Sequence, residues 1–289
     1  MVKAQELRKI LSGPHSLVVP GVYDCLSAKI AEKTGFEVIF TSGFGISAST
    51  LGLPDLGFLG GNEMIVRVRE ISKAVDIPVV ADIDTGYGNQ INVIKTVSDI
   101  VDVGVAGIIL EDQVWPKKCG HFEGKQITST EEHVEKIKAA IYAAGKSGIV
   151  IFARTDARSP LGLDEAIRRG RSYLDAGADV LFIEAPESVE ELREISSAFP
   201  DDWLFANMVE GGKTPFLSAE ELEELGYKFI VFPVSALFAA TEAMKNCLTH
   251  IKKYKSTVGY FDELSLKDFE KIIDVAKFRE LEQKFGVKS

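Results

Sequence analysis

Short runs of consecutive apolar residues alternate along the chain with longer stretches whose apolar residues recur at helical spacing. About eight of these runs are rich in β-branched or aromatic residues, which favour strands. They cover residues 16–19, 38–41, 79–82, 107–110, 150–153, 180–183, 203–206 and 229–232. Because the runs are continuous rather than alternating, we expect both faces of each strand to be covered, as in a parallel sheet.

The stretches between the runs carry their own helix signals. Ser129 and Glu132 have the spacing of a capping box ahead of an amphipathic stretch. Ser218 precedes a helix predicted over residues 219–225, with Gly226 as its stop. Repeated strand–helix units of this number predict a (β/α)8 or TIM barrel, and an open doubly wound sheet is the alternative.

The domain organisation is predicted to be simple. No linker rich in Pro, Gly or Ser divides the chain, so we expect one domain over residues 1–289, with a helical extension from about residue 240. Ser265 is the predicted cap of one long C-terminal helix. One side of that helix carries Leu266, Phe269, Ile272, Ile273, Phe278, Leu281 and Phe285. It packs either on its own barrel or on a neighbouring subunit, and the pattern leaves both open.

Composition and charge narrow the class of protein. The hydrophobic content of 46% allows a large core, and the net charge of -10 argues against binding to nucleic acid or anionic membranes. Three widely spaced cysteines, Cys25, Cys119 and Cys247, fit no disulfide framework and indicate a reducing compartment. The N-terminus shows no secretion signal, and no apolar segment approaches the roughly 20 residues that cross a bilayer. These features predict a cytoplasmic protein.

Charged and polar residues follow the predicted strands at their carboxyl ends. In a barrel these ends meet at one mouth, where catalytic residues gather. The set consists of Asp82, Asp84, Glu111, Asp112, Arg154, Asp156, Glu184 and Asn207. So many acids raise each other's pKa values unless a divalent cation offsets their charge, and oxygen ligands suit Mg²⁺ or Mn²⁺. The alternative is that residues 84–86 merely turn the chain.

Two further segments are candidates for chemistry. Cys119 lies in a polar loop beside Lys118, and cationic neighbours lower the pKa of a thiol, so it can serve as a proton donor or acceptor. An incidental surface cysteine is the alternative, and a zinc pair with His121 is disfavoured because no second pair exists. The glycines of residues 42–45 let backbone N–H groups approach an anion, although a tight turn explains them equally well. No nucleophile elbow, P-loop or complete dinucleotide fingerprint is present.

The motifs at residues 82–88, 111–113, 117–121, 153–156 and 207–215 together resemble the isocitrate lyase and phosphoenolpyruvate mutase superfamily. The resemblance is strongest to its 2,3-dimethylmalate lyase, 2-methylisocitrate lyase and petal death protein group. It implies a (β/α)8 barrel whose last helix is swapped between subunits, in a homotetramer built from such dimers. It also implies Mg²⁺ as the cofactor and a small di- or tricarboxylate as the substrate.

The resemblance assigns roles to individual residues. It places Mg²⁺ at Asp82, Asp84 and Glu111, with Asp55 nearby. It places the pyruvyl carboxylate at Ser42, Gly43 and Phe44, and the second product at Arg154, Glu184 and Asn207. The catalytic acid is Cys119, on a mobile flap with Lys117, Gly120 and His121, and Arg154 stabilises the developing enediolate. The phosphonomutase branch has Asn in place of this cysteine, which favours the lyase branch.

The expected reaction is retro-aldol cleavage of a 2-hydroxy dicarboxylate to pyruvate or another 2-oxo acid plus a second carboxylate. Two departures from the 2-methylisocitrate lyases narrow the substrate: Phe40 stands where they usually carry Tyr, and Phe238 where they carry Arg. A third carboxylate then lacks a cation, which favours 2,3-dimethylmalate or a 2-alkylmalate. The general base stays open between Tyr23 and a metal-bound water.

The alternative functions are a phosphoenolpyruvate or carboxyvinyl-carboxyphosphonate mutase, an oxaloacetate hydrolase or decarboxylase, and an inactive barrel that binds a dicarboxylate.

Overall fold

The computed structural model describes residues 2–120, 122–261 and 264–286 and contains a closed barrel of eight parallel strands. The strands are β1 Leu17–Val22, β2 Ile39–Thr41, β3 Val79–Asp82, β4 Gly107–Glu111, β5 Val150–Thr155, β6 Val180–Ile183, β7 Trp203–Asn207 and β8 Phe229–Phe232. Each strand pairs with the next, and β8 pairs with β1, where Phe229 lies opposite Leu17. All eight predicted runs form strands, so the predicted (β/α)8 barrel is confirmed and the open sheet is excluded.

Thirteen helices are present in the part of the chain that the structure describes. They are α1 Val2–Leu11, α2 Cys25–Thr34, α3 Gly43–Leu51, α4 Gly61–Ala74, α5 Gln90–Val103, α6 Thr130–Ala144, α7 Arg158–Leu161, α8 Leu163–Asp175, α9 Val189–Ala198, α10 Ala219–Glu224, α11 Ser235–Tyr254, α12 Leu266–Ile272 and α13 Val275–Phe285. The predicted caps form: Ser129 Oγ accepts from Glu132 N, and Ser218 and Glu221 make a reciprocal capping box. Helix α10 ends one residue before the expected position.

The prediction of one long C-terminal helix is wrong. Ser265 caps α12 as expected, but the helix ends at Ile272 and α13 begins at Val275. Asp274 lies between them with a positive φ of 57°. Its carboxylate accepts from Lys29 (2.5 Å) and Lys33 (2.7 Å) of α2. The two ion pairs hold Asp274 in a conformation that a continuous helix does not allow.

Phenylalanine rings fill the barrel interior. Phe205 stacks on Phe182 and Phe229 with ring centroids 4.1 and 5.3 Å apart, and Phe152 packs edge-on against Phe229. Helix α1 contributes the fully buried Leu7 to the same cluster, so it closes the end of the barrel opposite the mouth. Aromatic contacts of this kind stabilise the fold beyond the burial of their area, and they restrict the movement of the side chains below the mouth of the barrel. Among the described helices, none is both long and apolar enough to cross a membrane.

Candidate functional site

A cavity of about 190 Å³ opens at the carboxyl ends of the strands. Eleven of the residues assigned from the sequence line it: Ser42, Gly43, Phe44, Asp55, Asp82, Lys117, Cys119, Gly120, Arg154, Glu184 and Asn207. Asp84 and Glu111 lie directly behind this lining, where they contact Lys117 and Arg154 respectively. His121 lies outside the described residues. The barrel therefore brings residues from six strand ends into one small space, as the sequence predicted.

Two acids, Asp55 from the segment between α3 and α4 and Asp84 after β3, contact one ammonium group. Lys117 Nζ lies 2.6 Å from Asp55 Oδ2 and 2.6 Å from Asp84 Oδ1, and its side chain is buried. Burial alone would lower the pKa of Lys117, but the charges of Asp84 and Asp55 raise it well above its usual value. The lysine therefore stays protonated and compensates the acid cluster.

The carboxyl groups of the cluster are costly to ionise. Burial, followed by the charge of Asp84, raises the pKa of Asp82 to about 6. Burial raises the pKa of Glu111 well above its usual value, although Arg154 and Lys117 act in the opposite sense. Burial also raises the pKa of Asp55. These carboxyls lack sufficient positive charge, which is the electrostatic environment that a divalent cation relieves.

A turn with unusual backbone geometry sets the direction of the two aspartates. Asp84 adopts a left-handed conformation with φ 48°, and its N–H donates to Asp82 Oδ1 at 3.0 Å. Gly86 follows with φ 78°, and a side chain there would meet Val93 at 2.5 Å. Aspartate and glycine tolerate such conformations at low cost, so the sequence Asp-x-Asp-x-Gly is suited to this turn.

The donor chemistry of the cluster fits a divalent cation, but its present arrangement is not a metal site. Glu111 Oε1 is buried without a hydrogen-bond partner, and Asp84 Oδ1 contacts Lys117 only as an ion pair. Within the described ranges, no three or more histidine, cysteine, aspartate or glutamate side chains are placed to hold a metal. Two of these carboxylates, those of Asp55 and Asp84, instead contact the Lys117 ammonium.

The N-terminus of α3 adjoins the acid cluster. Ser42 is the N-cap of α3, and its Oγ accepts from Gly45 N at 3.2 Å. The first N–H groups of a helix have no partner within the helix, so those of Gly43 and Phe44 are available to an anionic oxygen. A side-chain atom on Gly43 would lie 3.0 Å from Asp82 Oδ2, so a larger residue would crowd that carboxylate.

Arg154 organises the opposite side of the cavity. Its Nε donates to Asp156 Oδ2 at 2.8 Å, and its Nη2 lies 3.1 Å from Glu184 Oε2. Its guanidinium carbon lies 5.1 Å from the centroid of the Phe182 ring. Asn207 Nδ2 reaches both oxygens of Glu184 at 3.3 and 3.4 Å. Burial would raise the pKa of Asp156, but Arg154 and Lys125 hold it below its ordinary value.

The flap, of which the structure describes residues 114–120 and 122–126, covers this side of the cavity. Its stem is joined by Val114 N donating to Gln126 O at 2.8 Å, and Cys119 N reaches across to Asp55 O at 3.2 Å. A side-chain atom on Gly120 would lie 2.5 Å from Arg154 Nη2 and 2.6 Å from the Glu184 carboxyl group. Glycine at this position therefore permits the flap to close directly over Arg154.

The structure removes one residue, Tyr23, from the candidates and draws attention to two others, Tyr87 and Lys125. Tyr23, one candidate for the base, does not line this cavity and borders a separate cleft with Asp24 and Cys25. Tyr87 was not singled out, although it follows the Asp-x-Asp motif. Its hydroxyl is buried, and burial followed by Asp84 and Asp82 raises its pKa well above its usual value. Lys125 was missed because it is a lone lysine in no recognisable pattern.

Fold and site together define the class: a (β/α)8-barrel enzyme whose chemistry lies at the carboxyl ends of its strands. A family model described as phosphoenolpyruvate phosphomutase matches residues 7–252. The chain is 44% identical to 2,3-dimethylmalate lyase of Eubacterium barkeri, over 99% of each chain. It is 40% identical to 2-methylisocitrate lyase of Bacillus subtilis (strain 168), over 88% of this chain and 83% of the relative.

Solved structures agree with this relationship. A crystal structure of 2,3-dimethylmalate lyase has a TM-score of 0.93 and 37% identity, covering 98% of this chain and 95% of the other. Oxaloacetate acetylhydrolase with 3,3-difluorooxalacetate has a TM-score of 0.95, 34% identity and coverage of 99% and 98%. Phosphonopyruvate hydrolase with oxalate and Mg²⁺ has a TM-score of 0.88, 30% identity and coverage of 99% of each chain. The chain belongs to the phosphoenolpyruvate mutase and isocitrate lyase superfamily, and the prediction of a carbon–carbon lyase is confirmed at that level.

Proposed function

We propose that the protein is a Mg²⁺-dependent lyase that splits the C2–C3 bond of a 2-alkylmalate such as 2,3-dimethylmalate. The observation that carries this proposal is the cavity itself, which places an acid cluster, helix N–H groups, Arg154 and Cys119 around about 190 Å³. Such a volume suits a small dicarboxylate. The pyruvyl half of that substrate would face the N–H groups of α3, and the half that becomes the second acid would face Arg154.

Asp82, Asp84 and Glu111 are the residues we assign to Mg²⁺ or Mn²⁺, with Asp55 beside them. The buried oxygens of Asp84 and Glu111 and the raised pKa values of Asp82 and Glu111 support the assignment, and Mg²⁺ accompanies oxalate in the related phosphonopyruvate hydrolase. When bound, the ion would withdraw electron density from the oxygens of the pyruvyl half. It would also take over the charge compensation that Lys117 supplies here.

The chain's own residues account for the remaining chemistry. Loss of the C2 hydroxyl proton to a base lets the C2–C3 bond break, which leaves pyruvate and the enediolate of the second acid. Arg154 would hold that enediolate, and Glu184 and Asn207 would orient Arg154 through the contacts described above. Cys119, on the flap, would transfer its thiol proton to the enediolate carbon. We leave the base unassigned.

Apolar walls support an alkyl-substituted substrate. Phe40, Val209 and Phe238 line the cavity, and Phe182 and Phe205 form its floor. Among the lining residues that the structure describes, the only lysine or arginine side chains are Lys117 and Arg154, and both already contact acids. A third carboxylate would therefore be buried without a counter-ion, which costs several kcal/mol.

Substrate preference tests this assignment. With Mg²⁺, we expect kcat/KM for 2,3-dimethylmalate to exceed that for 2-methylisocitrate by about 100-fold, because a tricarboxylate leaves one charge uncompensated. Phe238→Arg should reduce this ratio by about tenfold or more by supplying that charge. Tyr142→Arg, on the exposed face of α6, is the matched control. Equal kcat/KM values for the two substrates in the wild type would contradict the proposal.

One alternative has support from a solved structure, since oxaloacetate acetylhydrolase superposes closely on this chain. Formation of oxalate and acetate from oxaloacetate would mark that activity. Phosphorus NMR after incubation with phosphonopyruvate would detect a mutase. The resemblance argues against the mutase branch, because Cys119 replaces its Asn. It also argues against an inactive barrel, because the set of acids is complete and Cys119 is present.

We also propose that the C-terminal helices are swapped between subunits of a homotetramer. Helix α11 has no buried residue in the single chain. Large apolar side chains on the described C-terminal segment are at least one-third exposed: Met244, Leu248, Ile251, Tyr254, Val258, Phe261, Leu264, Leu266, Ile273, Phe278, Leu281 and Phe285. A surface this apolar requires a partner.

We also propose a cytoplasmic location. The proposal rests on the cysteine pattern, and all three cysteines are free.

Sedimentation velocity tests the assembly. We expect a particle of four 31.6 kDa chains, and Met244→Asp with Leu248→Asp should shift it to smaller species, because two carboxylates would be buried in the interface. Lys252→Asp on the same helix is the control. A wild-type protein that sediments as a monomer at micromolar concentration would refute the swap.

A further inference from the structure

Lys125 is a buried lysine at the base of the flap that does not line the cavity. Its Nζ donates to the carbonyl oxygen of Gly120 at 2.5 Å and to Asp156 Oδ1 at 2.8 Å. The side chains of Lys125 and Asp156 are both 0% exposed. A fully buried ammonium is retained only where its donors are satisfied, so these contacts fix the lysine in one position.

Asp156 is itself firmly held. Its two carboxylate oxygens accept from Arg154 at 2.8 and 3.1 Å, and its backbone N–H donates to Asp112 Oδ1 at 2.9 Å. Asp112 is anchored in turn by Arg169 and Tyr173 of α8, at 3.0 and 2.8 Å. The carboxylate that orients Arg154 is therefore the same one that orients Lys125, and both rest on a helix outside the barrel.

We propose that Lys125 is a positioning residue that holds Gly120, and with it the adjacent Cys119, over Arg154 when the flap is closed. Gly120 is buried, so its carbonyl needs a donor, which Lys125 provides in this flap position. Asp156 thus sets the distance between the proton donor and the guanidinium that would hold the enediolate. This inference rests on the proposed role of Cys119 as the acid.

The rival explanation is that Lys125 merely compensates the charge of Asp156. Arg154 already provides a bidentate counter-ion to that carboxylate. A compensating role predicts lower stability in a variant, with the flap unchanged. A positioning role predicts that Cys119 becomes more accessible and that kcat falls more than substrate binding weakens, because the anchors Arg154 and Ser42 belong to the barrel rather than to the flap.

Lys125→Met tests the two explanations in the full chain. The rate of Cys119 alkylation by iodoacetamide is measured by mass spectrometry without substrate, with Cys25, which borders a separate cleft, as the internal reference. We expect a rise of about tenfold or more, together with a fall in kcat of about 10- to 100-fold and a KM within about threefold of wild type. Lys138→Met, which removes an exposed ion pair with Glu135, is the matched control.

Two results would overturn the inference: a folded Lys125→Met protein whose Cys119 is alkylated at the wild-type rate, or one whose kcat is unchanged. If the methionine variant does not fold, Lys125→Gln replaces it, because its shorter amide cannot reach both acceptors and the expected changes are the same. The alkylation measurement needs no turnover. A failure of the proposed lyase activity is therefore distinguishable from a failure of Lys125 to hold the flap.

Discussion

Replacing Cys119 by alanine is expected to lower kcat for carbon–carbon cleavage by about 1,000-fold, the middle of the range for loss of a general acid. After the C2–C3 bond breaks, the enediolate either receives a proton or recombines with pyruvate. Cys119 adjoins Gly120, which packs directly on the Arg154 guanidinium, so we expect the thiol to deliver that proton. Without the thiol, recombination predominates and net turnover falls.

The measurement is steady-state release of pyruvate, together with the affinity of each variant for oxalate by calorimetry. Cys119→Ala should bind oxalate within about threefold of the wild type, because the binding groups are untouched. Cys25→Ala is the control, since Cys25 borders a different cleft and should leave both quantities unchanged. Full cleavage activity in Cys119→Ala would remove the cysteine from the mechanism.

Removal of divalent cations is expected to abolish cleavage, and Mg²⁺ or Mn²⁺ should restore it. Asp84→Asn and Glu111→Gln should each raise the Mg²⁺ concentration for half-maximal activity by at least about 100-fold, since even residues that only orient metal ligands change affinity by about 10- to 100-fold. The amides keep the size of the side chain but remove the charge that attracts the ion. Glu135→Gln, on the exposed face of α6, is the control.

Mg²⁺ binding should also be visible without turnover, as heat in a calorimetric titration and as a rise in the midpoint of thermal unfolding. Both signals should be lost in Asp84→Asn. Activity that persists in excess EDTA, or titrations of Asp84→Asn that match the wild type, would show that these acids hold no catalytic ion.

The strands and caps were predictable because they depend on local pattern. Continuous apolar runs such as residues 107–110 can be buried only on both faces, and Ser129 caps α6 through a contact three residues away. The break in the C-terminal helix was not predictable. It depends on Asp274 reaching Lys29 and Lys33, more than 240 residues away in sequence. Helical periodicity depends on residues close together in sequence, so it cannot predict a contact over this separation.

The acids at the strand ends, Arg154 and Asn207 were predictable as a set because parallel strand ends share one mouth, whereas Asp55 and the flap residues Lys117 and Gly120 were assigned from the family resemblance. The mutual geometry of these residues was not predictable. Lys117 lies on the flap near Cys119 as expected, but its ammonium extends to Asp55 and Asp84. The flexible lysine side chain allows this, because the two carboxylates attract its charge. The role proposed for Lys125 likewise depends on a buried contact with Asp156, a residue of another strand end.

The central claim is that a divalent ion and a flap thiol together cleave a 2-hydroxy dicarboxylate. Proton NMR of 2,3-dimethylmalate incubated with the protein tests it most directly. With Mg²⁺ we expect pyruvate and propionate to form in equal amounts, and with EDTA we expect neither. An unchanged spectrum in the presence of Mg²⁺, or equal cleavage in the presence of EDTA, would contradict the account.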